Sequence, residues 1–369
     1  MMFISRLGRA TVYPFASATQ KCHLFLFLRS HLISTTSQPV SCLTDKCEFS
    51  QESPLKLFSK VRFNSIRPSK ADSTIAFFRT HGFSDAQITK ITTRVPAFLR
   101  CNPNKRILPK LQFLASKGAS NSDILRIVTG YPELLLLGLK NGIVPAFDLI
   151  NRFLSSDEKT MNCVISSPAS MGHFYVSKNV KLLLDEGLTH SQIKRLFQCR
   201  PSVLASSTLW KTVAEVKKLG VDPSLMNFSV ALMAKKAVAK SGWDAKVEAC
   251  KTWGWSEEQF SDVFRKHPQI MLRSEKKIIA VMSFWVGKLG WDPSLLCVAP
   301  VIFGLSLEER IIPRALVVQY LLSKGLMKKD ASLATPFYLT DKKFLERYVT
   351  RFEKHHSSQL LKILHSKTC

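Results

Sequence analysis

From about residue 73 onward, apolar positions recur with a helical period and not an alternating one. Ile88, Ile91 and Val95 fall at i, i+3 and i+7, and Ile124, Ile127, Val128 and Tyr131 repeat that face one interval later. Such spacing predicts amphipathic helices, each with a single apolar stripe to bury. The interval is explicit in two stretches: His81–Arg100 reads HGFSDAQITKITTRVPAFLR and Lys117–Leu136 reads KGASNSDILRIVTGYPELLL. Gly82 and Gly118 lie 36 positions apart, as do Pro96 and Pro132. Gly187 with Pro201 and Gly254 with Pro268 keep the same glycine-to-proline distance of 14, while Gly220, Gly290 and Gly325 extend the glycine series. Pro168 marks a degenerate third copy, in which Leu154 or Ser155 replaces the glycine. Ala234 stands where the fifth copy's proline would be, and the seventh shifts it to Pro300. A fixed period in this range marks stacked repeats. The expectation is an all-α fold, a right- or left-handed α-solenoid of about eight helical repeats of roughly 35 residues, over 73–352, with a curved concave surface.

Local chemistry says what one repeat looks like. After each glycine come an apolar residue and then a capping residue, and four copies open a capping box: Ser84 with Gln87, Ser120 with Asp123, Thr189 with Gln192, Ser256 with Gln259. There the cap side chain accepts from the third helical N–H, and the third side chain answers the cap's own N–H. Asp222-Pro223 and Asp292-Pro293 read as an Asp cap before a proline at the first helical position, where the missing N–H matters least. The glycine suits a left-handed residue closing the preceding helix. The proline ends the next helix by disfavouring the α conformation in its predecessor. A Pro-x-x-Leu turn follows (Pro96–Leu99, Pro132–Leu135), and a second helix starts near Asn104 or Pro109. A hairpin this short cannot bury its own apolar face, so neighbours must stack.

The combination of Gly-apolar-Ser/Asp, a helix with Ile or Leu four residues past the cap, and Pro-x-x-Leu resembles the mitochondrial transcription termination factor (mTERF) family. GFSDAQITKITTRVPAFL, NKRILPKLQFLASKG and GYPELLLLGLKNGIVPAFDLI are similar to its plant organellar branch. The resemblance covers most of the chain after about residue 70. It implies a basic concave face that grips a nucleic-acid duplex, with bases unstacked in some members, and a role in organellar transcription, its termination, or intron splicing. Tetratricopeptide and pentatricopeptide repeats share a similar period, but their signatures do not recur here in register.

Charge supports that expectation independently. The chain carries 53 Lys and Arg against 27 Asp and Glu, a formal +26. Up to Lys70 it holds ten basic and three acidic side chains, leaving 43 against 24 for the rest, so the repeats themselves are basic. Such an excess points to a polyanion, most directly nucleic acid. Double-stranded DNA is the first expectation and structured RNA the second. The rival reading is a protein–protein scaffold whose basic face docks an acidic partner. Residues 1–60 read as an organelle transit peptide and leader. Met1–Thr44 lacks Asp and Glu while Arg6, Arg9, Lys21 and Arg29 stand among Ser and Thr, the composition of a transit peptide. Early arginines favour the mitochondrion over the chloroplast. The apolar runs Leu24–Leu28 and Leu134–Leu137 are too short for a membrane span, and a monomer is expected. Nine scattered cysteines form no Cys-x-x-Cys pair, so no zinc site is expected. His355-His356 reads as solvated surface within a basic C-terminal tail, 353–369. Phosphate-loop, nucleophile-elbow and paired-carboxylate patterns are absent from the sequence, so neither an enzyme nor a cofactor is expected.

Two rows of basic residues are candidates for contact with nucleic acid. Positions 23 and 24 after each landmark hold Lys105 and Arg106, then Lys178, Lys211 and Lys277, near the start of the second helix. One basic position per repeat could track a phosphate backbone. The second row, Arg94, Arg265 and Lys266, sits at the end of the first helix, where complementing the helix dipole is an equal explanation. Residues that would wedge between bases cannot be placed from the sequence.

Overall fold

Four small polar side chains start four helices as their spacing predicts. Ser84 Oγ accepts from the Gln87 N–H at 3.3 Å while Gln87 Oε1 accepts from the Ser84 N–H at 2.9 Å. Ser120 with Asp123, Thr189 with Gln192, and Ser256 with Gln259 close the same reciprocal box. The computed structural model describes residues 68–328, 331–352 and 354–365, and every regular element among them is a helix. The leader, 1–60, acid-free only as far as Thr44, lies outside the described residues.

The chain divides into two compact units at Leu137 and Gly138. In the first, α1 (Pro68–Thr80), α2 (Asp85–Arg94), α3 (Pro103–Arg106), α4 (Leu108–Ser116) and α5 (Asn121–Gly130) follow one another. Single 3₁₀ turns at Pro96–Arg100 and Pro132–Leu136 are the Pro-x-x-Leu segments. Phe78 is fully buried, edge-to-face with Phe83 and Phe98 at 5.1 and 6.5 Å.

The second unit repeats this plan. α6 (Val144–Leu154), α7 (Asp157–Ser166), α8 (His173–Asp185), α9 (His190–Cys199) and α10 (Leu209–Lys218) carry it to residue 218. α11 (Met226–Ala237), α12 (Lys240–Thr252), α13 (Glu257–Lys266), α14 (Glu275–Met282) and α15 (Ser294–Val298) continue it. α16 (Ile312–Ser323), α17 (Thr335–Tyr338), α18 (Asp341–Leu345) and α19 (Lys354–His365) complete it. Further 3₁₀ turns begin at Pro168, Pro201, Pro268 and Pro300. Where Ala234 replaces the proline, α11 runs on to Ala237 and no such turn forms.

Glycine chemistry at the helix ends follows the sequence. All seven landmark glycines adopt positive φ, Gly118 at +93°, and in the third copy Ser155 takes the left-handed conformation at φ +55°. A β-carbon is penalised there, so Ser155 is a strained stand-in for glycine.

Three expectations are corrected. Asp222 caps no helix, because its carboxylate accepts from the Ser224 N–H at 2.8 Å, ahead of α11; Asp292 accepts from the N–H of Ser294, the first residue of α15, also at 2.8 Å, but Pro293 and not Asp292 holds the capping position. These local turns satisfy the carboxylate first, so α11 starts only at Met226 and α15 at Ser294. His356 is half-buried, with Nδ1 3.0 Å from Tyr320 Oη, and so is not plain solvated surface. The segment 354–365, read as a tail, is helix α19. Its Leu360 is buried with Val317, Leu321, Phe344 and Val349, because α19 supplies the apolar face that α16 still lacks.

The Pro-x-x-Leu turns receive bonds from the preceding second helix. The last carbonyls of a helical turn have no partner within it, and each needs a donor when buried. Lys110 donates to the Leu135 carbonyl. Asn179 reaches Leu204, Lys246 reaches Met271 and Arg314 reaches Leu339, at 2.7, 2.7 and 2.8 Å. In each case the donor lies 25 positions before the acceptor, and the acceptor is the third residue after a proline: Pro132, Pro201, Pro268 or Pro336. Thr74 to Phe98, at 3.1 Å, is a shorter version 24 positions apart.

Candidate nucleic-acid interface

Lys105 and Arg106 end α3, a single turn that Asn102 caps by accepting from the Lys105 N–H at 3.2 Å. The chain breaks at Ile107 because Pro109 cannot donate to a continuous helix. Both side chains are exposed and form no ion pair with described residues. They lie in α3, whereas the turn donor Lys110 lies beyond the break, in α4; in the second unit Lys178 and the donor Asn179 are neighbours on one helix, α8.

In the second unit Lys178 and Lys211 are exposed on α8 and α10, which pack against each other. Lys277 is less available. It is half-buried, and burial lowers its ammonium pKa, an effect that Glu308 opposes and Arg273 reinforces.

The second candidate row splits. Arg94 Nε donates to Glu133 at 2.6 Å and its Nη1 to the Gly130 carbonyl at 3.3 Å, tying α2 to the end of α5. Arg265 is paired with Asp262 one turn back, and its side chain lies over Gly220, where a β-carbon would sit 3.0 Å from Cδ. Lys266 is exposed and forms no ion pair with described residues. Arg94 thus ties two repeats together, Arg265 is paired within its own helix and packs over Gly220, and Lys266 is left exposed.

The sequence reading missed the aromatic side chains beside the lysines. Phe174 and Tyr175 occupy the first turn of α8 and are 70% and 45% exposed; Trp210, in the first turn of α10, is 57% exposed. Phe174 and Tyr175 meet edge-to-face at 5.3 Å, and Lys211 Nζ lies 5.3 Å from the Trp210 ring centroid. Lys178 follows Phe174 by four residues, one helical turn. Three large rings left in water next to lysines, on two packed helices, are the kind of surface that takes stacked bases and phosphates together. A signal was present: bulky aromatics at helix starts, off the apolar stripe, each followed by lysine within four positions.

Among the described residues no group of His, Cys, Asp and Glu could hold a metal ion. No helix among them is long and apolar enough to cross a membrane. Cys163 and Cys250 are buried and their thiol pKa values are pushed up to about 12 by desolvation, which makes them poor nucleophiles and metal ligands.

The mTERF family model matches residues 75–281 and, overlapping them, 170–345. Transcription termination factor MTERF15, mitochondrial, of Arabidopsis thaliana is 22% identical over 287 residues, covering 77% of this chain and 56% of that protein. Transcription termination factor 1, mitochondrial, of Rattus norvegicus is 30% identical over 99 residues, 26% of each. The chain thus matches little more than half the length of the first relative and about a quarter of the second.

Proposed function

The chain belongs to the mTERF family, and from that membership we propose that it binds nucleic acid inside an organelle and regulates gene expression there. The reading extends to a basic solenoid surface that grips double-stranded nucleic acid mainly through its phosphates, with DNA ahead of structured RNA. The relatives' names support transcription and its termination as the process, and the mitochondrion as the compartment. Intron splicing is the second outcome that this binding mode serves equally.

One observation carries the reading furthest: Lys178 and Lys211, without an ion pair to any described residue, stand beside Phe174, Tyr175 and Trp210 on packed helices. Phosphate contacts hold a backbone without reading it, and exposed rings can receive bases lifted from a stack. A docking surface for an acidic protein would need the lysines but not the aromatic faces.

Crosslinking in intact organelles, followed by sequencing of both DNA and RNA, tests the proposal. Enrichment of discrete organellar sites in one nucleic acid supports it and identifies the substrate. A large co-purifying species that survives nuclease treatment, with no enriched sites, would transfer the function to a protein scaffold.

A further inference from the structure

Three elements of the second unit meet at Ser206–Thr208. Asn179 of α8 donates to the Ser206 carbonyl at 2.7 Å, Lys236 of α11 donates to Thr208 Oγ1 at 3.1 Å, and α10 starts at Leu209. Beside this segment stand aromatic side chains that the fold leaves in water. Phe174 and Tyr175 are the second and third residues of α8, and Trp210 is the second of α10. Among the described residues Tyr338 is the one other exposed aromatic ring, so three of four are gathered on two packed helices.

The charge around them has one sign. Residues 173–184 and 199–214 hold Lys178, Lys181, Arg200 and Lys211 and no Asp or Glu. Lys178, Lys181 and Lys211 are exposed and form no ion pair with described residues. Glu215, the next acid after Trp210, is paired with Lys235 at 3.6 Å. The hydroxyls of Ser206 and Thr208 lie 3.3 Å apart, and Ser207 between them is exposed.

A ring stacks only on a base whose face is open. In a duplex the neighbouring bases cover both faces, and lifting a base out costs about as much as stacking it on a ring returns. Packed helices lie about 8–10 Å apart, against about 3.4 Å between stacked bases of one strand. Consecutive bases therefore reach both α8 and α10 only when the strand is drawn out of its stack. RNA supplies unpaired strands without melting, and its 2′-hydroxyl can both donate to and accept from side-chain hydroxyls. Resting on the nucleic-acid reading above, we propose that this corner of the second unit takes an unpaired strand of RNA. Its bases stack on Phe174, Tyr175 and Trp210, its phosphates meet Lys178, Lys181 and Lys211, and its 2′-hydroxyls face Ser206–Thr208. A duplex can meet the same lysines but leaves the rings unused.

The test uses the full chain and fluorescence anisotropy at one salt concentration. The probes are an oligouridylate of about 12 nucleotides, within the span that such platforms cover, its deoxyuridine counterpart, and duplex DNA of equal length. Wild type should bind the oligouridylate about threefold or more tighter than the deoxy strand. Phe174→Ala with Trp210→Ala, at two exposed positions, should weaken it about tenfold or more and change duplex binding by no more than about twofold. Circular dichroism of that variant should match wild type, and Trp210→Phe, which keeps a ring, should retain most of the affinity. A folded double variant that binds the oligouridylate as wild type does would overturn the proposal. So would equal binding of the ribo and deoxy strands. In either case, duplex binding that Lys178→Gln with Lys211→Gln weakens would leave the broader nucleic-acid reading standing. Failure of every probe to bind would remove both.

Discussion

Asn179 Nδ2 donates to the carbonyls of Leu204 and Ser206, both at 2.7 Å, although these lie 25 and 27 positions further along the chain. Asn179 is buried, so one amide satisfies two acceptors that water does not reach freely. Asn179→Leu keeps the volume and removes the donors. An unsatisfied buried group costs about 1–3 kcal/mol, so a loss of about 2 kcal/mol is expected from urea unfolding. Lys246→Met, at a half-exposed site bonded to Met271, should lose less because water can enter. Equal, negligible losses in both variants would mean that this bond does not hold the turn.

Backbone strain predicts opposite signs at two equivalent positions. Gly118 sits at φ +93° with open space around the missing β-carbon, so Gly118→Val is strained by conformation and not by a clash. It should destabilise by more than about 1 kcal/mol. Ser155 already bears that strain at φ +55°, so Ser155→Gly should stabilise by about 0.5–1 kcal/mol, the relief exceeding glycine's extra unfolded-state entropy. Thermal denaturation of the two variants checks this; a shift in the same direction for both would contradict the left-handed assignment.

These positions show how much the sequence disclosed. The glycine landmarks, the capping boxes and the Pro-x-x-Leu turns were legible because each is set within a short local stretch of chain. The period pointed to Leu154 or Ser155 as the place of the third copy's missing glycine, and the left-handed residue is Ser155. Asp222 and Asp292 misled because aspartate has two local options, a helix cap or a turn onto the N–H two residues on, and only the second was taken. The donors Lys110, Asn179, Lys246 and Arg314 could not be read because their acceptors lie 25 positions further along. Among the candidate contacts, spacing offered Arg94 but not its engagement with Glu133, which comes from 39 positions further on.

Acid should weaken the fold through three aspartates. Hydrogen bonds from Ser120 hold Asp123 below the ordinary carboxylate range, and hydrogen bonds from Ser224 and Ser294 do the same for Asp222 and Asp292. A lowered folded-state pKa means that the unfolded chain binds the proton more readily, so stability is complete above the unfolded value of about 4 and declines as pH falls below it. The urea midpoint should therefore drop between about pH 5 and pH 3. The triple variant Asp123→Asn, Asp222→Asn and Asp292→Asn should show a flatter drop, since asparagine keeps an acceptor without titrating. An unchanged slope would place the acid sensitivity elsewhere.

The binding surface separates phosphate contacts from base contacts. Each phosphate contact on duplex DNA contributes about −0.9 to the slope of log K against log salt. Lys105→Gln with Arg106→Gln should thus flatten the slope by about two, as should Lys178→Gln with Lys211→Gln, with similar weakening on every sequence. Arg94→Gln should instead lower stability and spare the slope, because Arg94 is already paired with Glu133. Trp210→Ala should leave the slope intact and weaken binding to a target with unpaired bases by about 1–3 kcal/mol, the worth of one stacked base. Fully paired DNA should be affected far less. Circular dichroism should remain helical for all these exposed substitutions. A folded Lys178→Gln, Lys211→Gln protein with unchanged affinity and slope would remove this patch from the interface and leave Lys105, Arg106 and Lys266 as the contacts to follow.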